Sequence, residues 1–220
     1  MQNMNDYPKR KKLFSVGEIN STRLWLIVFG ILDGSAGAVH GFYETLRGYT
    51  TTGRFYLENF GAFSVIPNYL ITGMIVILVA LSITLWTIVF IHKKNGPIVL
   101  LVLTILLFFV GGGVAQFFFG LIAWVVSTRI NSPLTWWKKV LSKATRDLLA
   151  KRWLIFFVTG YFLLAFAIEI WLVLLPPGTN HNNVPTINYL CWSLLSVGLL
   201  FQLPTIIAGF ARDIVRQENR

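Results

Sequence analysis

The sequence predicts an all-α, polytopic transmembrane helix bundle, on three observations. Hydrophobic residues make up 55% of the 220, and charged residues only 13%. Apolar runs of about 20 residues, the length needed to span a bilayer, recur along the chain. The charges fall mostly between those runs. A soluble domain of this length has too little interior to hide that much apolar surface, so lipid must cover it.

The net charge is +10. In a soluble chain that balance would point to nucleic acid. Here the basic residues flank apolar runs, the pattern that orients a membrane protein and meets anionic headgroups. The expected partner is therefore the bilayer, and nucleic acid is not. The single cysteine, Cys191, lies inside an apolar run. It permits neither an intrachain disulfide nor a cysteine metal cluster.

Residues 1–22 read as a disordered, cytoplasmic polar tail with a basic run at Lys9, Arg10, Lys11 and Lys12. One transmembrane bundle covers 23–211, and 212–220 form a short cytoplasmic tail. The first span is expected over 24–46. Its apolar start, followed by Ala36, Gly37 and Ala38, also has the form of a signal-peptide core with a small-residue cleavage site. Against cleavage, the basic run lies far upstream, Asp33 interrupts the apolar core, and the apolar segment continues past the site. Phe55, Tyr56, Phe60 and Phe63 suit a membrane–water interface in the loop 47–66. Pro67 opens the second span, 67–91, which His92, Lys93 and Lys94 close.

The stretch 97–127 decides the topology. If it crosses once, the basic loop 128–152 falls opposite Lys93 and Lys94, against the positive-inside rule. If it breaks at Gly111, Gly112 and Gly113 and returns, every Lys and Arg except Arg47 and Arg54 falls on one side. The favoured reading is thus a fifth, glycine-broken segment, either a re-entrant hairpin or two short spans. Each half gives about 22–25 Å of helix against a hydrocarbon core of about 30 Å. Glycines permit the positive φ that a tight turn needs. The competing arrangement is one long, tilted helix whose glycines form a packing patch.

Within 128–152, Ser132 is a candidate N-cap and Pro133 a first helical residue. Leu134, Trp137, Leu141, Ala144 and Leu148 follow at spacings of three and four. This predicts an amphipathic helix over 133–150 on the inner leaflet. Trp136 and Trp137 would sit at headgroup depth, and Lys138, Lys139, Lys143 and Arg146 would contact anionic lipid. The same face could instead pack on the protein. The fourth span is expected over 153–175, ended by Pro176, Pro177 and Gly178. The last, 187–210, would be kinked at Pro204. Both termini are expected in the cytoplasm, beside the cell membrane.

The blocks HGFYETLRG (40–48), IPNYLITG (66–73), FFVGGG (108–113) and TRINSPLTWW (128–137) resemble a family of uncharacterised bacterial multi-pass membrane proteins. In that family prolines follow the glycines. Here Ala115 and Gln116 stand there, which weakens the carry-over of a broken helix. The resemblance implies bacterial membrane residence and no assigned activity.

Ionisable groups within spans are costly and mark candidate sites. Four qualify: Asp33, His40, Glu44 and Glu169. Asp33, Gly37, His40 and Glu44 recur at spacings of four, three and four, which puts them on one face of the first helix. One reading is a proton or cation relay, since histidine titrates near neutral pH. A second is a metal site in which Glu169 completes His40 and Glu44. A third is packing alone, with Glu44 paired to Arg47 at the interface. Gln116, Asn188 and Gln202 are further polar groups able to bridge helices. GGGVAQ lacks the lysine of a phosphate loop, and no nucleophile–base motif is present, so no enzymatic activity and no cofactor are expected. Two function classes follow. One is small-solute or proton-linked ion transport. The other is a non-catalytic accessory, assembly or lipid-contacting component, with a membrane protein partner or a second copy.

Overall fold

The computed structural model describes residues 19–52, 56–57, 62–175 and 184–219. The basic run of the N-terminal tail, Phe55, Phe60, Pro176–Gly178 and His181 lie outside them. Apart from a two-stranded antiparallel ribbon, β1 (Tyr56–Leu57) and β2 (Ala62–Phe63), the described elements are helices. They are α1 (Ser21–Thr45), α2 (Tyr69–Val89), α3 (Gly96–Phe109), α4 (Val114–Ser127), α5 (Thr135–Val140), α6 (Lys143–Leu174), α7 (Pro185–Leu200) and α8 (Gln202–Glu218).

Four helical stretches are long and apolar enough to cross a membrane: α1, α2, α6 and the α7–α8 pair. They overlie the four spans expected from sequence. Between α2 and α5 lie two shorter apolar helices of 14 residues each, α3 and α4. Residues 110–113 separate them, with positive φ at Gly111 (107°) and Gly113 (80°).

The tightest contact in the molecule joins α1 to α2. Gly30, Gly34, Gly37 and Gly41 recur down one side of α1 and meet Thr87, Thr84, Ala80 and the Gly73–Val76 turn in antiparallel register. A methyl on Gly41 would lie 2.7 Å from the carbonyl oxygen of Gly73. Small residues let two backbones approach this closely, which is how helices associate where lipid removes the hydrophobic drive.

The far end of α1 is held by the other terminus of the chain. Asp213 on α8 accepts from Ser21 N (2.6 Å), Thr22 N (2.9 Å) and Thr22 Oγ1 (2.6 Å). These amides belong to the first turn of α1 and have no acceptor within the helix, so a carboxylate there satisfies them and complements the helix dipole. Asn20 adds a local cap through Arg23 N. Gln202 joins three helices: its Oε1 accepts from Trp25 Nε1 (3.0 Å), and its Nε2 donates to the carbonyls of Gly160 (2.8 Å) and Gly198 (3.4 Å). The core runs between these ties through Trp25 stacked on Phe29 (4.5 Å) and Phe29 against Phe119 (5.8 Å).

The connections gather at two ends. At one end, Asn20 Nδ2 donates to Ile130 O, Asn131 Nδ2 to His92 O, and Arg216 Nη1 to Ile19 O. Arg146 and Lys138 both reach Glu218 there (2.8 and 3.5 Å). Partial desolvation, then the charges of Arg23 and Lys93, hold the His92 imidazole below its ordinary range. The start of α3 and the end of α4 therefore lie at the same end, so α3 and α4 run out and back. At the opposite end are the 45–50 segment, residues 62–68 and the turn 110–113, joined by Leu70 N to Gly48 O and Val65 N to Phe109 O.

Two boundaries differ from the sequence reading. In place of one helix over 133–150 there are α5 and the opening turns of α6, which runs unbroken into the fourth span. Ser142 causes the division. Its Oγ accepts from Thr145 N and caps a new helix, while Leu141 turns extended. Helix α5 also starts later than expected, behind Leu134 in the left-handed region. The last span divides at Phe201. Pro204 has no N–H for the carbonyl of Leu200 and crowds it, so the break falls one turn before the proline.

Two substitutions test these ties by thermal melting in detergent. Asp213→Ala leaves two amides and a hydroxyl unpaired in a buried site and should cost about 2–3 kcal/mol. Gly34→Ala drives a methyl onto Thr84 and the Ala80 carbonyl and should cost about 1–3 kcal/mol.

Candidate functional site

The polar residues of α1 are buried: Asp33, His40 and Glu44. Asp33 stands midway along the helix and is buried; its Oδ1 has no hydrogen-bond partner. His40 and Glu44 follow toward the turn end. His40 is 8% exposed and Glu44 is 0% exposed. His40 Nε2 lies 3.7 Å from Glu44 Oε1, beyond hydrogen-bond length but close enough for strong electrostatic coupling. Neither carboxylate oxygen of Glu44 has a hydrogen-bond partner.

The glycine turn closes over Glu44. A methyl on Gly111 would stand 3.2 Å from each carboxylate oxygen and would collide with Thr72 Cγ2. The turn needs glycine twice over, for its positive φ and for the approach of its backbone to these two side chains. Gly112 N donates to Leu107 O. Residues 62–66 supply further partners from outside: Ser64 pairs with Val110 across an antiparallel bridge, and Val65 N donates to Phe109 O. Ser64 Oγ and Thr72 Oγ1 are 3.2 Å apart, and Thr72 Oγ1 donates to Ile66 O. Phe63 stacks on Phe108 (5.7 Å) above the turn. The 62–66 segment thus supplies hydrogen-bond partners to residues 109 and 110, where α3 gives way to the turn.

Of the four ionisable candidates, the structure puts three on one buried track and leaves Glu169 apart. Glu169 is exposed on α6. Among the described residues no three His, Cys, Asp or Glu side chains form a group able to hold a metal ion. Glu169 therefore does not complete a metal site with His40 and Glu44. The carboxylate of Glu44 faces His40 and the glycine turn.

The expected headgroup residues divide. Trp136 is 61% exposed, and Lys139 and Lys143 are exposed. Trp137 instead packs on Phe210 (5.4 Å), and Lys138 and Arg146 are engaged by Glu218. Sequence reading missed the pairing of Glu44 with the glycine turn and the role of Asp213. No local pattern signals either, because the partners are 67 residues apart in one case and more distant still in the other.

Two glycines with positive φ separate strain from packing. Gly48 (φ 64°) has open space around it, whereas Gly111 does not. Gly48→Ala should cost about 1–2 kcal/mol. Gly111→Ala should cost clearly more, because the methyl meets Thr72 as well. Paired thermal melts check the ranking.

Compared with protein-family models, with curated proteins and with solved structures, the chain matches none.

Proposed function

We propose that this chain is a multi-pass protein of a bacterial cell membrane that carries protons, alone or coupled to a small solute, along the buried track of α1. Asp33, His40 and Glu44 are the relay groups. The observation that carries this reading is Glu44: an acid with no exposed surface, no hydrogen-bond donor and a histidine beside it. A structural carboxylate normally has its oxygens satisfied. One left bare in a span is the chemistry of a group that takes up and gives back a cation. Asp33, buried midway along the helix, also has one carboxylate oxygen, Oδ1, without a partner.

The orientation that fits the charge is with the end bearing Lys93, Lys94, Arg129, Lys138, Lys139 and Lys143 in the cytoplasm, along with both termini. The α3–α4 pair is then a glycine-broken segment whose turn lies toward the outer surface. Trp136, Lys139 and Lys143 meet anionic headgroups of the inner leaflet.

The alternative is a non-catalytic accessory component. What favours it is α6, whose span is only 17% buried within the chain and carries Glu169 on its exposed side. Such a face suits a partner helix or a second copy.

The test is proton flux into proteoliposomes loaded with a pH-sensitive dye, driven by an imposed membrane potential. Wild-type protein should acidify the lumen above protein-free vesicles. Glu44→Gln and Asp33→Asn should each abolish the flux while the protein still elutes as a folded species. Equal flux in wild type and both variants would remove the relay role. A stable complex with a second membrane protein after mild detergent extraction, together with no flux, would favour the accessory reading.

A further inference from the structure

We propose that Glu44 and the glycine turn form a binding site for one alkali-metal cation, sodium or lithium, which exchanges there with a proton. The inference rests on the relay reading of α1 and names the ion that occupies its turn end.

The chain contains its own comparison. Asp213 is also a buried carboxylate, and it takes three donors at 2.6–2.9 Å. Glu44 is more deeply buried and takes none. An ionised carboxylate in such surroundings needs compensating positive charge. The nearest candidate, His40, stands 3.7 Å away on the same helix. From α2, the Tyr69 hydroxyl lies within electrostatic reach of both Glu44 and Arg47.

The surroundings select the class of ion. Thr72 lies against the Gly111 turn beside the carboxylate, its methyl toward Gly111, and its hydroxyl is 3.2 Å from that of Ser64. Hydroxyl and backbone oxygens are hard donors, which suit alkali and alkaline-earth ions. The turn joins the electronegative C-terminal end of α3 to the electropositive N-terminal end of α4, so the helix dipoles favour neither sign of charge. A single carboxylate balances a single positive charge, which favours a monovalent over a divalent ion. Zinc is disfavoured, because among the described residues no third His, Cys, Asp or Glu joins His40 and Glu44. Unwound backbone between two half-helices is a recurrent place for such cations.

The experiment uses the wild-type chain in detergent and dicyclohexylcarbodiimide, which modifies protonated carboxyl groups in apolar surroundings. Peptide mass spectrometry reads the label on Glu44. Labelling should rise as pH falls. At fixed pH, sodium chloride should slow it several-fold relative to choline chloride of equal ionic strength. Thr72→Val and Ser64→Ala should raise the sodium concentration needed for protection. Equal rates in sodium and choline would overturn the metal-cation site. If the pH dependence then persisted, Glu44 would be a proton site only, and the relay reading would stand. Absence of label on Glu44 at every pH without sodium would also overturn the proposal. Sodium protection without proton flux in vesicles would keep the site and remove the transport reading.

Discussion

The rest of the structure depends on how closely α1 and α2 approach. Their glycine, alanine and threonine faces bring the two backbones into contact from Gly30–Thr87 to Gly41–Gly73. In lipid, apolar side chains gain little by meeting one another, and close backbone packing supplies the attraction. Once α1 lies flat against α2, its remaining sides have fixed partners. Trp25 and Phe29 face α8 and α4, and Asp33, His40 and Glu44 are carried inward with them. The polar track is buried because the glycine face beside it is already occupied.

The second constraint is that every buried polar backbone group must find a partner within the protein. The turn between α3 and α4 meets it by borrowing from residues 62–66, which pair with residues 109 and 110. The start of α1 meets it by borrowing Asp213 from the other terminus of the chain. In both places a segment distant in sequence completes an element that could not close by itself. Glu44 departs from this background, as Asp33 Oδ1 does: the fold satisfies the Asp213 carboxylate at the helix terminus and leaves both oxygens of Glu44 without a partner.

Much of the fold was legible in the sequence. Four long apolar runs correspond to four helices able to cross a membrane, and the spacing of Asp33, His40 and Glu44 gave one buried face. Legibility failed where two local signals competed. Leu134 to Leu148 keeps a helical apolar period, yet Ser142 caps a new helix within it and the period does not survive as one face. Pro204 was readable as a kink, and the break falls one turn earlier because the clash is with the carbonyl four residues before. Glu169 shares the chemistry of the α1 track and points away from it, which no single-helix periodicity could reveal.

The central claim is that α3 and α4 run out and back, so that both basic connections lie on one side of the bilayer. Single-cysteine labelling in intact cells with a membrane-impermeant thiol reagent tests it most directly. In a Cys191→Ala background, cysteines are placed at Tyr49, Lys94 and Lys138 in turn. The account predicts that Tyr49→Cys labels in intact cells, while Lys94→Cys and Lys138→Cys label only after permeabilisation. Labelling of Lys94→Cys and Lys138→Cys from opposite sides would contradict it, because the segment between them would then cross the membrane once.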